Sequence, residues 1–379
     1  MVPSDLTQLE KCYHRDLRID FFRGLALLMI LIDHVESMLG ESFISQFTLQ
    51  GVGSCDAAEV FVFLSGYLYG RVYNRVYLKE GYKACVKKSL YRGIRLYLAT
   101  LLTLCCCLIV SIPFAIYNNQ ISQRLFLFPL IQWPLQAFLY FLDLIYAPYG
   151  FEILHLYIIF FLFLFPVLFL ILKKSSKLAW FLSIGLYVLS QCFSWFTIPV
   201  PYSQYSPFYF NLSSWQFLFF IGMVIGMRTH SRRLTLLQNR FLKNIALLIV
   251  LSIVYFKFTE QKFLSDEVLT SPYWFIFMRM VKSKQTLGPL RLINILALAY
   301  YINSITSAQG NFWKTKLAFP LVLCGQHSLL VYCSGLIFVY ATVVLSNMLH
   351  LGSEWTLVLH SIGGGCSILV ALAANRKTK

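Results

Sequence analysis

Apolar stretches of about 20 residues recur from residue 20 to residue 374, and this repetition limits the folds open to the chain more than any other feature. One helical crossing of a bilayer requires about 20 mostly apolar residues. The sequence therefore predicts an all-α, polytopic integral membrane protein. Ten stretches qualify as transmembrane helices: 20–39, 56–76, 88–112, 151–173, 178–198, 211–228, 241–258, 289–305, 318–346 and 354–374.

The composition argues against a soluble enzyme. The 379 residues are 58% hydrophobic and 13% charged, whereas a soluble protein has roughly 25% charged residues. We expect one transmembrane domain over 1–379, with a cytoplasmic N-terminal segment at 1–19 and a cytoplasmic tail at 375–379. A further stretch, 130–147, contains Trp133, Pro134 and Tyr140 and predicts an additional helix in the membrane interface.

The net charge of +16 serves membrane orientation rather than nucleic-acid binding, because the basic residues form short clusters between the apolar stretches. If the N-terminus is cytoplasmic, all but seven of the 32 Lys and Arg residues fall in cytoplasmic segments. The pattern predicts ten crossings with both termini inside and no nucleic-acid partner. The seven exceptions are Arg124, Lys257, Lys262, Arg279, Lys282, Lys284 and Arg291.

The ten cysteines show no spacing typical of a zinc site or a disulfide framework. We interpret them as small packing residues and predict no metal site.

Ionisable residues inside the first stretch are costly and so mark a candidate functional site. Arg23 and His34 are eleven residues apart, which on a helix places them on one face about 16 Å from each other. Asp20 lies near that face, whereas Asp33 points about 100° away from His34. In the alternative interpretation, Arg23 extends to the interface and His34 makes a packing contact.

Two acidic residues begin the second stretch. Asp56 and Glu59 share a helix face with Gly66 and Gly70, and the glycines allow a neighbouring helix to approach closely. On an antiparallel neighbour, Glu59 reaches a depth similar to that of His34, where a carboxylate can hold one imidazole nitrogen and leave the other as a base. The alternative is a structural ion pair between helices.

The third stretch begins with Lys88, Arg92 and Arg95 on one face at the predicted cytoplasmic mouth. Guanidinium groups bind phosphate through paired hydrogen bonds, so this face suits a polyphosphate. Anchoring of the helix at the cytoplasmic interface explains the same residues.

Together these motifs resemble the membrane-bound acyltransferase-3 superfamily, and more closely its OpgC branch, the glucan succinyltransferases of the bacterial envelope. His155 stands where that branch has proline. The motifs are Arg23 with His34, EVFVFLSGY at 59–67, RGIR at 92–95 and, for the branch, RIDFFRGLA at 18–26, DAAE at 56–59, FNLSSWQ at 210–216 and GQHS at 325–328.

The resemblance implies acyl transfer from cytoplasmic acyl-CoA, as succinyl-CoA or acetyl-CoA, to a periplasmic glucan or other glycan, in a bacterial inner membrane. His34 would be the general base and Glu59 or Asp33 would orient it, with a covalent acyl-histidine route left open. Acyl-CoA is a co-substrate, and no cofactor is expected. The remaining implied roles are acyl-donor binding by Arg23, Lys88, Arg92 and Arg95, and an acceptor side at Asp56, Trp215 and Asn211.

A rival hypothesis is a proton-coupled transporter or flippase of an envelope saccharide that uses His34 and Glu59. Such proteins usually contain repeated halves with interrupted helices, and the sequence contains no internal repeat. The acyl group, the acceptor and the oligomeric state stay open.

Overall fold

The computed structural model describes residues 15–40, 42–193, 210–228, 239–263, 281–308 and 310–378, without the side chains of 260–263, 377 and 378. In these ranges the chain forms helices joined by turns, and none of it is in a strand. The all-α prediction is therefore confirmed.

The helices begin and end as follows. They are α1 (Leu17–Leu39), α2 (Ala57–Ala115), α3 (Asn119–Arg124), α4 (Phe128–Gln132), α5 (Pro134–Leu142), α6 (Glu152–Lys174), α7 (Ser176–Cys192), α8 (Leu212–Arg228), α9 (Arg240–Phe263), α10 (Pro289–Ile305), α11 (Phe319–Gln326), α12 (Ser328–Leu349) and α13 (Thr356–Thr378). Short helical turns lie at Phe43–Phe47, Leu49–Val52, Asn311–Lys314 and Ser353–Trp355.

Within the described ranges, five helical segments are long and apolar enough to cross a membrane: α2, α6, Arg240–Thr259, α12 and Ser353–Arg376. The apolar helix α8 is shorter, at 17 residues. Leu98, Leu102 and Ile109 of α2 are each more than half exposed. Such a row of exposed apolar side chains is stable against lipid and costly in water. The chain is a membrane protein.

Helix α2 folds back on itself at Gly81. A straight helix of its 59 residues would be about 89 Å long, far more than a bilayer. Gly81 has φ 81° and ψ −177°, a conformation open almost only to glycine. The Tyr69 hydroxyl donates to Ser89 Oγ at 3.4 Å, although a straight helix would hold these residues about 30 Å apart. The predicted stretches 56–76 and 88–112 are thus the two arms of a bent helix.

Glycines let α2 and α8 pack backbone against backbone. A Cβ atom on Gly66 would lie 2.2 Å from the Phe219 carbonyl oxygen, and one on Gly226 would lie 2.0 Å from that of Tyr67. No side chain fits at such distances. The close helix contact predicted for the Gly66 face is therefore present, and its partner is α8.

A similar contact sets the position of α1. A Cβ atom on Gly24 would meet the Leu321 carbonyl oxygen of α11, and one on Gly325 would meet that of Asp20. Because α11 and α12 are separated only at His327, α12 continues along α1. Arg23 and His34 both lie on this unbroken α1, as predicted.

The predicted interfacial stretch 130–147 is less regular than expected. The stretch contains the end of α4 and all of α5, and these two helices meet at Trp133 and Pro134. Helix α5 ends at Leu142. Leu144 then takes a positive φ of 60°, which a helix does not allow. Its depth relative to a membrane stays a prediction.

Candidate functional site

His34 is held by a hydroxyl from another part of the chain. Its Nδ1 atom lies 2.8 Å from the Tyr149 hydroxyl, and Tyr149 belongs to the turn between α5 and α6. The Tyr149 hydroxyl also hydrogen-bonds Ser37 Oγ, and Ser37 Oγ donates to the His34 carbonyl oxygen at 2.8 Å. The three side chains form a closed loop of hydrogen bonds at the end of α1.

This loop determines the tautomer of His34. A carbonyl oxygen only accepts, so the single Ser37 hydroxyl proton points to the His34 carbonyl. Tyr149 must then donate to Ser37 Oγ, and its own oxygen accepts from His34 Nδ1–H. This assignment of the three hydrogen bonds places the proton on Nδ1 and leaves on Nε2 a lone pair that can accept a proton.

The residue expected to orient His34 has a different position. Glu59 is completely buried, and its Oε2 accepts from the Asp56 backbone N–H at 3.0 Å. Its Oε1 lies 2.5 Å from Arg291 of α10. Tyr149, and neither Glu59 nor Asp33, is the residue hydrogen-bonded to the imidazole. Glu59 instead caps α2 and joins it to α10, which matches the ion-pair alternative.

Asp56, Glu59, Lys284 and Arg291 form a compact group that we call the Asp56 cluster. Asp56 Oδ2 lies 2.5 Å from Lys284 Nζ and 3.4 Å from Arg291 Nη2. Asp56 is only 2% exposed, so its carboxylate is buried together with the two cations that it contacts. Asp56 is therefore an anion that fixes two cations beside the His34 end of α1.

Lys284 is positioned by the two residues that we expected on the acceptor side. Trp215 Nε1 donates to the carbonyl oxygens of Lys284 and Gln285, at 3.1 and 3.2 Å. The Asn211 backbone N–H donates to the Gln285 carbonyl at 2.9 Å. Trp215 is 0% exposed and Asn211 is 3% exposed. Both anchor the loop that carries Lys284, and neither is exposed enough to line an open acceptor cavity.

Asp33 lies on the side of α1 that faces the Asp56 cluster. Its carboxyl interacts electrostatically with Asp56 and Lys284, and Lys284 also acts on His34. The cluster is therefore close to His34 without bonding to it. Lys284 is a cation within the electrostatic range of whatever binds at the imidazole.

Arg23 lies at the opposite end of the same face of α1. It is 7% exposed, and its Nη2 donates to Ser328 Oγ at 2.7 Å. Its guanidinium carbon is 5.4 Å from the centre of the Phe61 ring. Among the described residues, Arg23 Nε has no hydrogen-bond partner. A buried donor without a partner is costly, so this end of α1 favours an anionic ligand.

A second guanidinium group lies close to Arg23. Arg92 packs over the Phe161 ring at 4.7 Å and repels Arg23 electrostatically. Arg95 is exposed on the same arm of α2. Lys88 is exposed too, but it pairs with Glu80 at 2.7 Å across the Gly81 bend. Of the four residues expected to bind a donor, Arg23 and Arg92 thus lie close together, whereas Lys88 has a structural partner.

A small apolar crevice of about 10 Å³ lies along α1 between Leu27 and His34. It runs between α1 and α12, past Leu27 and Leu31 on one side and Val331 and Gly335 on the other, and ends at His34. Ser328, which binds Arg23, begins the same α12. The crevice thus covers the part of α1 nearer to His34, and Arg23 lies about one helical turn beyond its Leu27 end.

His155 is fully buried in α6 and packs against the edge of Phe141, with ring centroids 4.8 Å apart. Helix α6 begins at Glu152, three residues before His155. The helix therefore forms with histidine at the position where the OpgC branch was expected to have proline. Its two ring nitrogens have no partner among the described residues.

Sequence reasoning missed Tyr149, Ser37, Lys284 and Arg291. A signal existed for the two cations, since both belong to the seven basic residues that violate the charge pattern. Tyr149 and Ser37 carry no such signal. Within the described ranges, no group of three or more His, Cys, Asp or Glu side chains is arranged to hold a metal ion.

Comparisons with known proteins give one match. The family model described as OpgC protein matches residues 15–379. No curated protein and no solved structure matches the chain. Since the match covers nearly the whole sequence, the chain belongs to the OpgC protein family, and this membership indicates a role in the modification of osmoregulated periplasmic glucans.

Proposed function

We propose that the protein is a membrane O-acyltransferase that moves an acyl group from cytoplasmic acyl-CoA to hydroxyls of a periplasmic glucan, with succinyl as the acyl group. One observation carries this proposal. A single face of α1 holds Arg23, a buried cation with an unpartnered donor, and about 16 Å further on His34, whose Nε2 carries a lone pair.

The proposed reaction uses His34, Lys284 and the two substrates. A glucan hydroxyl attacks the thioester carbonyl while His34 Nε2 takes its proton. The carbon–sulfur bond then breaks, and the imidazolium returns the proton to the departing CoA sulfur. The products are a glucan ester and free CoA. Lys284 supports the developing negative charge on the carbonyl oxygen, since it already acts electrostatically on His34.

The donor side of this proposal rests on Arg23 and Arg92. Two neighbouring guanidinium groups that repel each other are stabilised by an anion between them, such as the phosphates of CoA. The crevice between α1 and α12 is apolar but has only about 10 Å³ of space, so a thioester arm that reaches His34 along it would require the two helices to separate. The acyl group would thus cross the membrane while the CoA phosphates stay on the cytoplasmic side.

We further propose ten crossings in a bacterial inner membrane, with both termini in the cytoplasm. Support comes from the charge pattern and from the helices, which occupy most of the described part of each predicted stretch, with a break at His327 in the ninth. In this topology Arg23 and Arg92 lie at the cytoplasmic side, and His34 and the Asp56 cluster lie toward the periplasm.

The decisive experiment is a transfer assay with purified protein, succinyl-CoA or acetyl-CoA, and unsubstituted periplasmic glucan. The wild type should form glucan esters, and His34→Ala should lower turnover at least a hundredfold while keeping its thermal unfolding temperature. Arg92→Gln with Arg95→Gln should raise the acyl-CoA KM with little change in kcat. Unchanged turnover in His34→Ala would overturn the mechanism.

Mass spectrometry of periplasmic glucans from cells with and without the gene identifies the acyl group and the acceptor together. A mass difference of one succinyl group per modified position supports the full proposal. Glucan that accumulates on the wrong side of the membrane, with unchanged substitution, would instead favour the transporter hypothesis.

A further inference from the structure

A polar cleft opens beside the His34 end of α1, apart from the donor site. It has a volume of about 560 Å³ and lies between the segment around α3 and the end of α12. This volume falls within the roughly 300–1,000 Å³ of small-ligand sites. In the proposed topology both walls face the periplasm.

The cleft is lined almost entirely by neutral hydrogen-bonding groups. Amide side chains come from Asn118, Asn119, Gln120 and Asn347, and Arg124 is the one cation among the lining residues. Side-chain amides both donate and accept, which matches hydroxyl groups better than phosphate or carboxylate. The lining therefore favours a neutral, hydroxyl-rich ligand over an anionic one.

An aromatic ring and a special backbone conformation add to this composition. Tyr117 lines the cleft and is 90% exposed, so its ring is available to stack on the apolar face of a ligand. His350 ends α12 with φ 53° and lines the same cleft. Glycine would adopt this left-handed conformation at lower cost. His350 thus adds an imidazole to the lining at the point where α12 ends.

Two hydrogen bonds tie the cleft to the candidate catalytic residue. Arg124 donates to the Met38 carbonyl at 2.9 Å, and Met38 lies one helical turn, or about 6 Å, beyond His34 on α1. The Tyr149 backbone N–H donates to the carbonyl of Leu125, the residue after Arg124. The wall of the cleft and the His34–Tyr149 pair are therefore parts of one connected structure.

From these observations we propose that the cleft between Tyr117–Arg124 and Ser346–Leu351 binds the saccharide acceptor and presents one of its hydroxyls toward His34. This inference rests on the proposed function. It assigns acceptor binding to residues for which the sequence predicted no binding role, in place of the buried Trp215 and Asn211.

Helix α3 offers a matched pair of variants for the test. Gln120 and Gln123 are both exposed on α3, but only Gln120 lines the cleft. The probe is unsubstituted periplasmic glucan, and the readout is its Kd for the full-length protein in detergent, measured by calorimetry without acyl-CoA. Gln120→Ala and Tyr117→Ala should each weaken binding about three- to tenfold, whereas Gln123→Ala should bind like the wild type.

The inference would be overturned if the wild type did not bind glucan, or if the cleft variants bound glucan as well as Gln123→Ala does. It would also be overturned if the cleft variants lost affinity for anionic phospholipid vesicles and not for glucan. Because this assay involves no acyl transfer, it separates the two proposals. Cleft-dependent glucan binding without transfer from acyl-CoA would refute the proposed function alone. Transfer that requires His34 but ignores the cleft variants would refute the cleft alone.

Discussion

At the scale of single residues, the chemistry of His34 depends on where two hydroxyl protons lie. Ser37 and Tyr149 each have one proton to donate, and the carbonyl of His34 accepts the first of them. This order leaves Nε2 as the acceptor nitrogen. Tyr149 thus acts through His34 as a positioning residue and needs no contact with substrate.

Tyr149→Phe keeps the ring and removes only the hydroxyl that fixes the tautomer. We expect kcat to fall roughly ten- to a hundredfold, within the total contribution of a general base, because the imidazole would lose its orientation. The acyl-CoA KM should stay constant, since Arg23 is about 16 Å away. Steady-state kinetics in both substrates provide the measurement.

The matched control for this variant is Tyr97→Phe. The Tyr97 hydroxyl also donates one hydrogen bond, to the Leu142 carbonyl at 3.1 Å, but has no contact with His34. Equal losses of kcat in both variants would contradict the positioning role of Tyr149.

The ion pair between Glu59 and Arg291 gives a prediction for stability. Arg291→Gln would leave the completely buried Glu59 carboxylate without its cation, and breaking a buried pair in this way costs about 3–5 kcal/mol. The free energy of unfolding in detergent should fall by about that amount. Glu59→Gln combined with Arg291→Gln should recover most of the loss.

Lys88→Gln serves as the control for this prediction. It breaks the pair with Glu80, in which both side chains are half exposed, and should change the free energy of unfolding by no more than about 1 kcal/mol. Similar losses of unfolding free energy for Lys88→Gln and Arg291→Gln would mean that burial does not increase the contribution of the Glu59 pair to stability.

At the scale of elements, the fold depends on positions where only glycine allows two helices to touch backbone to backbone. Gly66 and Gly226 bring α2 and α8 into backbone contact, and Gly24 and Gly325 do the same for α1 and α11. These contacts fix how deep α1 lies and how it is rotated, and hence where His34 meets Tyr149. Sequence analysis predicted the Gly66 face but could not identify its partner helix, because small residues favour close packing without specifying the neighbour.

Gly81→Ala should destabilise the protein by about 1–3 kcal/mol, because alanine rarely adopts φ 81° and ψ −177°. A Cβ atom there meets no other atom within 4 Å, so the cost arises from the backbone alone. Thermal unfolding monitored by circular dichroism measures the change.

The comparison for Gly81 is Gly185, a helical glycine of α7 whose Cβ atom would also meet nothing within 4 Å. Gly185→Ala should be neutral or stabilising by up to about 1 kcal/mol, because alanine has the higher helix propensity. Destabilisation by both substitutions would point to a cause other than the conformation of Gly81.

At the scale of the whole molecule, charge is distributed in two ways. Most Lys and Arg residues cluster where the positive-inside rule places the cytoplasm, whereas four of the seven exceptions bind groups near the opposite ends of the helices. Arg124 binds the Met38 carbonyl, Lys257 binds the Gly53 carbonyl, and Lys284 and Arg291 bind the two carboxylates of the Asp56 cluster. These four exceptions therefore have partners inside the protein, which explains why they depart from the charge pattern.

The proposed ten-crossing topology predicts the activity of reporter fusions. Alkaline phosphatase fused after Ser353 or Asn119 should be active in the periplasm, because both positions precede a return crossing. Green fluorescent protein fused after Lys177 or at the C-terminus should fluoresce, because both positions are cytoplasmic. The opposite result at either pair of positions would require a different number of crossings.

The sequence by itself determined that the chain is helical, that it belongs in a membrane, and that Arg23 and His34 share one face of one helix. Hydropathy and helical period are local properties, so neighbouring residues suffice to predict them. Only the tertiary structure decided that His34 bonds Tyr149, 115 residues away, and that Glu59 bonds Arg291, 232 residues away. Such pairs depend on the depth and rotation of packed helices, which are set by backbone contacts between elements and not by any one stretch.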